Sequence, residues 1–199
     1  LLDRFLVMME REQVPVSICF NKSDLAGEET VREYRDIYGK AGYPVLIVSA
    51  REQEGLEAVR DFMRGKTTVL AGPSGVGKSS LTNAIHPGAS METGEISRKI
   101  ERGKHTTRHS ELFFLEEDTY MMDTPGFSSI FPPDMEAGEL KDYFPEFAHF
   151  ADSCRFGGCV HVGERDCGVK EALARGEVSK SRYENYVLMY EELKNRRRY

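Results

Sequence analysis

Gly72-Pro73-Ser74-Gly75-Val76-Gly77-Lys78-Ser79 matches the pattern G-x-x-x-x-G-K-[ST], in which a glycine-rich loop surrounds the phosphates of a nucleotide. An apolar run over 68–71 precedes the motif and predicts a strand, and a helix is expected over 79–86. We expect glycines 72, 75 and 77 to adopt backbone conformations closed to other residues, so that successive N–H groups point at an anion. The loop then ends at a helix N-terminus, where free N–H groups and the helix dipole favour phosphate.

The side chains of this loop predict individual roles. Lys78 would reach the β- and γ-phosphates as a point charge, so it is assigned to both binding and catalysis. The hydroxyl of Ser79 would bind the Mg²⁺ that bridges these phosphates. A chance glycine-rich turn between a strand and a helix is the alternative interpretation. The predicted phosphate-binding residues are Gly72, Ser74, Gly75, Val76, Gly77, Lys78, Ser79 and Ser80.

The composition limits the class of protein. With 199 residues, 40% of them hydrophobic and 30% charged, the chain fits a globular protein with one good core and room for a small appendage. No apolar run approaches the roughly 20 residues that span a bilayer, and no signal peptide opens the chain. The sequence therefore predicts a cytoplasmic protein without a membrane partner. Because the chain begins at Leu1 in the middle of a helical pattern, we expect a further segment upstream.

The charge pattern leaves room for local contacts with nucleic acid. The net charge is −6, which argues against nucleic-acid binding over the whole surface. Two basic clusters are present, and each is either a phosphate-binding patch or a solvated face. The clusters are Arg98, Lys99, Arg102, Lys104 and Arg108 in the middle of the chain, and Arg196 to Arg198 at its end.

Helix and strand signals alternate from the start of the chain to the glycine-rich motif at 72–79, which we call the P-loop. This alternation predicts right-handed βαβ units and an α/β fold with a mostly parallel sheet. Ligands of such folds bind at the carboxyl ends of the strands. The expected order is helix 1–13, strand 14–20, helix 28–41, strand 45–48, helix 55–63 and strand 68–71.

The second half of the chain changes character. Residues 89–109 show little periodicity and predict a mobile loop, and strands are expected over 111–115 and 119–122. A proline-rich junction at 131–133 predicts a boundary between a nucleotide-binding domain, 1–133, and a helical C-terminal domain, 134–199. Helices are expected over 138–149, 168–175 and 179–195, the last with its apolar face in the core.

The motif Asn21-Lys22-Ser23-Asp24 follows a buried strand and predicts which base is bound. The Asp24 carboxylate can accept from both the ring N–H and the exocyclic amine of guanine, whereas adenine presents the opposite polarity there. Asn21 would contact the base edge or hold neighbouring loops together, and the Lys22 stem could lie over the base plane. Ser49-Ala50, after the next strand, would bring a backbone N–H to the guanine oxygen. An ordinary Asn/Asp turn is the alternative for the first motif.

Two further stretches have the character of γ-phosphate sensors. Asp123-Thr124-Pro125-Gly126 follows a strand, so Asp123 would hold Mg²⁺ through water and the Gly126 N–H would meet the γ-phosphate. Thr106-Thr107 would complete the Mg²⁺ shell only when a γ-phosphate is present, which would make this loop a switch. We assign the role to Thr107; Thr106 and a plain solvent-facing hydroxyl remain alternatives.

A cysteine and histidine cluster lies in the C-terminal part, with the pattern Cys154-x4-Cys159-x-His161-x5-Cys167. Three thiolates and one imidazole suit a tetrahedral structural Zn²⁺ site with no open position. Disulfides are the alternative, although three clustered cysteines would leave one unpaired. Cys19 stands apart in a strand and is expected in the core.

The order of these motifs is unusual, because the guanine-reading elements precede the P-loop. A circular permutation preserves a site that depends on the spatial order of strands. With this order, and with Gly-Lys-His-Thr-Thr at 103–107 and Ser-Arg-Tyr-x-x-Tyr at 181–186, the whole chain resembles the circularly permuted, ribosome small subunit-dependent GTPase A family of bacteria. The N-terminal OB-fold of that family is not part of these 199 residues.

This resemblance implies a function. A member would act in the cytoplasm as a monomer, bind GTP and GDP with Mg²⁺, carry one structural Zn²⁺, and hydrolyse GTP when stimulated by the 30S subunit during its late maturation. It would contact 16S rRNA, so RNA binding and ribosome biogenesis are expected. Phe127 replaces the usual water-positioning Gln, and His105 is the predicted catalytic group that orients the attacking water.

Other classes of function remain open at this point. The chain could be a GTP-dependent binding switch whose hydrolysis only times its release from a ribosomal partner. It could also be a zinc-dependent nucleic-acid-binding protein with a vestigial P-loop, in which case it would not bind nucleotide. His105 could be an ordinary solvent-exposed loop histidine.

Overall fold

The computed structural model describes residues 1–89, 111–124, 129–131 and 133–196. The chain forms two compact units. Unit 1 comprises Leu1–Ile18, Arg32–Val45 and Ser129–Tyr199, and unit 2 comprises Cys19–Val31 and Leu46–Ser128. These units group the segments that pack together, and the domain boundary at 133/134 remains a prediction.

The described elements alternate as an α/β chain does until the last third, which is helical. Short 3₁₀ helices cover Ser23–Leu25, Pro87–Ala89 and Ala137–Tyr143. The strands are β1 Ile18–Phe20, β2 Val45–Ile47, β3 Thr67–Leu70, β4 Glu111–Glu116 and β5 Thr119–Asp123. The α-helices are α1 Leu2–Arg11, α2 Glu28–Lys40, α3 Leu56–Met63, α4 Lys78–Ile85, α5 Pro145–Ala151, α6 Gly168–Ala174 and α7 Lys180–Asn195.

The strands form two sheets. β1 and β2 pair with each other, and the bonds Ile18 N to Pro44 O and Val48 N to Phe20 O advance in the same direction along both strands, so the pair is parallel. The second sheet has the order β3-β5-β4, with β3 parallel and β4 antiparallel to β5. The acidic turn between β4 and β5 makes that last pair a hairpin.

Unit 2 has its core between the strands and two helices. α3 and α4 bury apolar side chains against Phe113 of β4 and Met121 of β5, and Met121 is fully buried. The alternation of the strands supports this arrangement, since Phe113 and Met121 are register partners and therefore lie on one face of the sheet. The helix residues of this core are Leu56, Val59, Met63, Leu81 and Ile85.

Unit 1 has a separate, aromatic core. Phe147 of α5 lies at the centre, and the rings of Phe144 and Tyr186 meet it at centroid distances of 5.2 and 4.9 Å. Val7 of α1 belongs to the same cluster. As predicted, α7 turns its apolar stripe into this core, with Tyr186 and Leu193 buried and Tyr183, Val187 and Tyr190 packed against it.

Two sequence-based boundaries were wrong. The strand expected over 14–20 begins only at Ile18, because Pro15 lacks a backbone N–H and Val14 is half exposed rather than buried on two faces. The helix expected over 138–149 is a 3₁₀ helix followed by α5. The break falls at Phe144, since a residue that precedes a proline is disfavoured in the helical region and Pro145 starts a new helix. In the described part of the chain, no helix has both the length and the apolarity to span a bilayer.

Candidate nucleotide and metal sites

The P-loop and the Asp123-Thr124 motif emerge side by side from neighbouring strands. β3 and β5 are parallel, and the register pairs Leu70 with Asp123 at their carboxyl ends. Thr124 Oγ1 donates to the Leu70 carbonyl at 2.7 Å and fixes the start of the second motif beside the first. The topology therefore brings two stretches that are 50 residues apart to one edge of the sheet.

The P-loop uses two of its three glycines in the predicted way. Gly75 and Gly77 have φ values of 83° and 90°, in the left-handed region that favours glycine. Gly72 does not have a left-handed φ, so the expectation for this glycine was wrong; it is buried, with Val76 close by. Lys78 Nζ donates to the carbonyls of Gly72 and Pro73 at 2.8 and 3.1 Å, so its charge lies within the loop.

Asn21 joins three of the predicted motifs. Its Nδ2 donates to Val76 O at 3.1 Å and to Gly77 O at 3.4 Å, and its Oδ1 accepts from the Ala50 N–H at 3.0 Å. Of the two roles that the sequence left open for Asn21, the loop-holding one is therefore present in the structure. Gly77 is required here for a second reason, since a Cβ on it would lie 2.4 Å from Asn21 Nδ2.

The other residues predicted to read guanine form hydrogen bonds of their own. Lys22 has a left-handed φ of 68°, and its Nζ donates to Gly75 O at 2.7 Å. Ser49 Oγ donates to Asp24 Oδ1 at 2.6 Å and accepts from the Glu52 N–H, which fixes one oxygen of the carboxylate. The Ser49 N–H donates to Glu54 O. Both N–H groups of Ser49-Ala50 are thus engaged within the protein, and a contact from one of them to a guanine oxygen remains a prediction.

Several predicted residues have no such description. Ser79 is partly buried in the first turn of α4, and Ser74 and Ser80 are exposed. His105, Thr106, Thr107 and Gly126 lie outside the described residues, as does the side chain of Asp123. Their roles remain predictions.

The Cys154, Cys159, His161 and Cys167 side chains meet in unit 1, and their four donor atoms lie within 4.8 Å of one another. Cys154 Sγ is 3.6 Å from His161 Nδ1 and 3.9 Å from Cys167 Sγ, and His161 Nδ1 is 3.3 Å from Cys167 Sγ. Tetrahedral zinc with bonds of about 2.3 Å to sulfur separates its sulfur ligands by about 3.8 Å. The cluster therefore fits zinc, whereas a disulfide needs about 2.05 Å.

Burial sets the protonation of these donors before any metal binds. It raises the pKa of Cys159 to about 12 and raises that of Cys167. Burial, with a smaller contribution from the Lys141 charge, lowers the pKa of His161, so the imidazole is in its neutral, metal-binding form at pH 7. A bound cation would hold the thiolates by displacing their protons.

The loop that carries the candidate metal ligands is organised by residues that sequence analysis did not single out. Glu164 accepts from the Val160 N–H at 2.7 Å and the Val162 N–H at 3.0 Å, on either side of His161, which has a φ of 60°. Burial tends to raise the pKa of Glu164, but these N–H groups lower it below its ordinary value. From α7, Tyr183 Oη donates to His161 O at 2.7 Å and Tyr186 Oη donates to Val160 O.

A cleft of about 460 Å³ lies on one side of the cluster. Cys154, Cys159 and His161 are among its lining residues, together with the exposed Phe156. The cluster therefore borders this cleft.

Two parallel strands that present a glycine-rich loop and an Asp-Thr motif, with an Asn-Lys-x-Asp segment bonded to the loop, define a P-loop nucleotide-binding protein of the GTPase class. The order of its motifs is circularly permuted. The chain belongs to the RsgA GTPase family, whose model matches residues 1–131. The fold class and the family predicted from the sequence are thereby confirmed.

Named relatives cover the whole chain. The small ribosomal subunit biogenesis GTPases RsgA of Agathobacter rectalis and Alkaliphilus metalliredigens are 54% and 52% identical to it over 199 residues. These residues make up 66% and 68% of the relatives, so the chain spans about two thirds of their length.

Two solved structures share the fold. YjeQ from Thermotoga maritima is 40% identical with a TM-score of 0.78, and the match covers 98% of this chain and 66% of that one. YloQ, described as a circularly permuted GTPase, is 39% identical with a TM-score of 0.78, and the match covers all of this chain and 64% of that one.

Proposed function

We propose that this protein binds GTP and GDP with Mg²⁺, hydrolyses GTP to GDP and phosphate, and acts on the small ribosomal subunit during its maturation. The observation that carries the proposal is the set of hydrogen bonds in which Asn21 donates to the P-loop and accepts from the Ala50 N–H. This set supports the proposal because it links the segments predicted to bind guanine with the loop predicted to bind phosphate. The names of the relatives support the ribosomal part of the proposal.

In this site each side chain has a physical task. The Lys78 charge would move from the loop carbonyls to the β- and γ-phosphates, and Ser79 would bind Mg²⁺, with Thr107 and Asp123 completing its surroundings. Asp24, already oriented by Ser49, would accept both donors on the guanine edge. The Lys22 stem, whose Nζ donates to Gly75 O, would lie over the base plane. The Gly126 N–H would meet the γ-phosphate, and His105 would orient the attacking water.

The metal cluster would have a structural role. Zn²⁺ is the proposed ion, one per chain, and Cys154, Cys159, His161 and Cys167 would hold it. Zinc would supply cross-links between the loop and the aromatic core of unit 1. We also propose that the functional protein is a cytoplasmic monomer with a GTPase domain over 1–133 and a zinc-binding domain over 134–199, and that it contacts 16S rRNA of the 30S subunit.

The test is a comparison of nucleotides followed by a comparison of turnover. We expect GDP to bind and ADP not to compete with it, because the Asp24 carboxylate would face the wrong polarity on adenine. We expect slow GTP hydrolysis by the protein alone and faster hydrolysis with 30S subunits. In the His105→Ala variant the stimulated rate should fall by about 10²-fold or more while the GDP dissociation constant stays nearly unchanged.

Each part of this test has an outcome that contradicts the proposal. Equal competition by ADP would contradict guanine recognition, and absence of all nucleotide binding would favour the nucleic-acid-binding alternative. Fast turnover that is independent of 30S subunits would indicate a free-standing enzyme. Equal stimulated rates in the variant and the parent protein would remove His105 from the mechanism.

A further inference from the structure

A buried arginine, Arg182 of α7, lies within unit 1 and belongs to neither candidate site. Its side chain is 1% exposed, and its carboxylate partners, Asp3 and Glu146, are 4% and 2% exposed. Arg182 donates to both oxygens of Glu146, from Nε and Nη2, and from Nη1 to Asp3 Oδ1 at 2.6 Å. A bidentate arginine–carboxylate pair is both strong and geometrically specific.

Aromatic rings enclose the rest of the guanidinium. Its carbon lies 4.9 Å from the ring centroid of Phe144, 5.5 Å from that of Tyr43 and 5.7 Å from that of Tyr38. Burial by itself lowers the pKa of Arg182, but the hydrogen bond with Glu146 and the charges of Glu146 and Asp3 outweigh it and raise the pKa above the ordinary value. The group is therefore charged at every pH at which the protein is folded.

The same helix holds the metal-binding loop. Tyr183, next to Arg182, donates to His161 O, and Tyr186, one turn further along α7, donates to Val160 O. Tyr186 also packs on Phe144, which contacts Arg182. Residues 182–186 of α7 thus bond to two places. The two tyrosines bond to the loop of the candidate zinc ligands, and Arg182 bonds to the buried carboxylates of Asp3 and Glu146.

The partners of Arg182 flank the guanine-reading segment along the chain. Asp3 lies on α1, before that segment, and Tyr38 and Tyr43 lie at and just beyond the end of α2, after it. The chain leaves unit 1 after Ile18 and returns at Arg32, and Asn21-Lys22-Ser23-Asp24 lies between these points. Arg182 therefore contacts elements on both sides, along the chain, of the segment that the proposed function assigns to guanine.

We propose that Arg182 is a positioning residue through which metal retention in unit 1 and guanine nucleotide binding are thermodynamically linked. The inference rests on the proposed function, since it needs GDP to bind at Asn21 to Asp24. Ordering of that segment by GDP would restrain α1 and the end of α2, and through Arg182 it would restrain α7 and the metal loop. Linkage is reciprocal, so GDP must strengthen metal binding by the same free energy by which metal strengthens GDP binding.

The experiment measures the zinc dissociation constant by equilibrium competition with a coloured chelator, with saturating GDP, with ADP and without nucleotide. We expect GDP, and not ADP, to lower the zinc dissociation constant about fivefold or more in the parent protein. In Arg182→Lys, which keeps the charge but loses the bidentate fork, the GDP effect should fall below about twofold. The GDP dissociation constant is measured separately for each protein.

A matched control is the partly exposed ion pair between the same two helices. Arg4 of α1 lies 2.6 Å from Glu192 of α7, with side chains 27% and 33% exposed, against 1% for Arg182. Because solvent reaches this pair, it contributes less than a buried one, and Arg4→Gln should keep the GDP effect. Loss of the effect in this control as well would mean that any weakening of the α1–α7 contact suffices, and it would overturn the assignment to Arg182.

The remaining outcomes are distinct. A GDP effect of equal size in Arg182→Lys and in the parent protein overturns the inference, as does a parent protein that binds GDP but has an unchanged zinc dissociation constant. Failure of the parent protein to bind GDP overturns the proposed function as well. If circular dichroism shows that Arg182→Lys is unfolded, Asp3→Asn replaces it. This variant removes the charge on α1 that pairs with Arg182. An undiminished GDP effect in this variant contradicts the proposal.

Discussion

The candidate nucleotide site of unit 2 and the candidate metal site of unit 1 are held together in different ways. In the nucleotide site, side chains bond to the backbone of neighbouring loops: Asn21 to Val76 and Gly77, Lys22 to Gly75 and Lys78 to Gly72. In the metal site, three sulfurs and one imidazole nitrogen converge on one another within 4.8 Å. The shape of the first site comes from bonds within the protein, whereas the second brings together groups whose best partner is a cation.

This difference bears on what each ligand contributes. A nucleotide that enters a site already formed by hydrogen bonds can use its contacts for affinity and specificity. A structural metal instead supplies free energy of folding, on the order of 10–16 kcal/mol in small zinc-binding peptides at pH 7. Loss of the metal should therefore affect the fold of unit 1, while loss of one nucleotide contact should affect binding.

The largest effect is expected from Cys159→Ser. Cys159 is 4% exposed and belongs to the aromatic core as well as to the metal cluster. Without this thiolate we expect less than about one tenth of the parent zinc content after dialysis, and a loss of the near-ultraviolet circular dichroism of unit 1. Metal analysis and circular dichroism measure the two quantities, and the GDP dissociation constant should change by less than about tenfold.

Cys19→Ser is the matched control. Cys19 is partly buried in β1, and burial raises the pKa of its thiol to about 11, so it is an inert thiol outside the metal cluster. We expect the parent zinc content in this variant. If Cys159→Ser kept a full zinc complement and its circular dichroism, the contrast between the two sites would be lost.

Gly77→Ala should affect the nucleotide site by a smaller free energy and leave the metal site intact. The added Cβ would lie 2.4 Å from Asn21 Nδ2, at a φ of 90°. We expect the GDP dissociation constant to rise about a hundredfold, because strain and clash together amount to roughly 3 kcal/mol. The zinc content should be unchanged.

Gly75→Ala separates strain from clash. Its φ is 83°, so alanine is strained there too, but no heavy atom lies within 4 Å of the added Cβ. A loss of GDP affinity of only about tenfold is expected from strain of roughly 1–2 kcal/mol. Equal losses in the two variants would show that the contact of Asn21 with Gly77 does not help to form the site.

The two sites also differ in how far the sequence predicted them. The metal donors lie within 14 residues and have a recognisable spacing, so their convergence could be predicted from the sequence. The P-loop motif likewise predicted the left-handed glycines at 75 and 77, because the motif encodes backbone conformation. The order of the motifs was enough to predict the circularly permuted α/β fold.

What the sequence did not predict depends on contacts between distant residues. Arg182 lies three residues after Ser179 in a helical pattern, and one of its buried partners, Asp3, is 179 positions away in the sequence. Glu164 has the pattern of a surface carboxylate; its role follows from a turn in which His161 takes a left-handed φ. The prediction that the first strand begins at Val14 was wrong, since β1 begins at Ile18. An apolar run shows which residues can be buried, whereas the length of a strand depends on where a neighbouring strand pairs with it.

The smallest effect is expected from Glu164→Gln, which tests whether the metal loop is itself partly preformed. The Glu164 carboxylate accepts from the N–H groups of Val160 and Val162, and glutamine can accept with only one of its two terminal atoms. Replacement of residues that orient metal ligands typically lowers metal affinity by about 10- to 100-fold. We therefore expect about tenfold faster zinc release in a folded variant. The GDP dissociation constant should not change by more than about twofold. An unchanged rate of zinc release would mean that the four donors alone shape the metal site. Hydrogen bonds would then preform the nucleotide site but not the metal site.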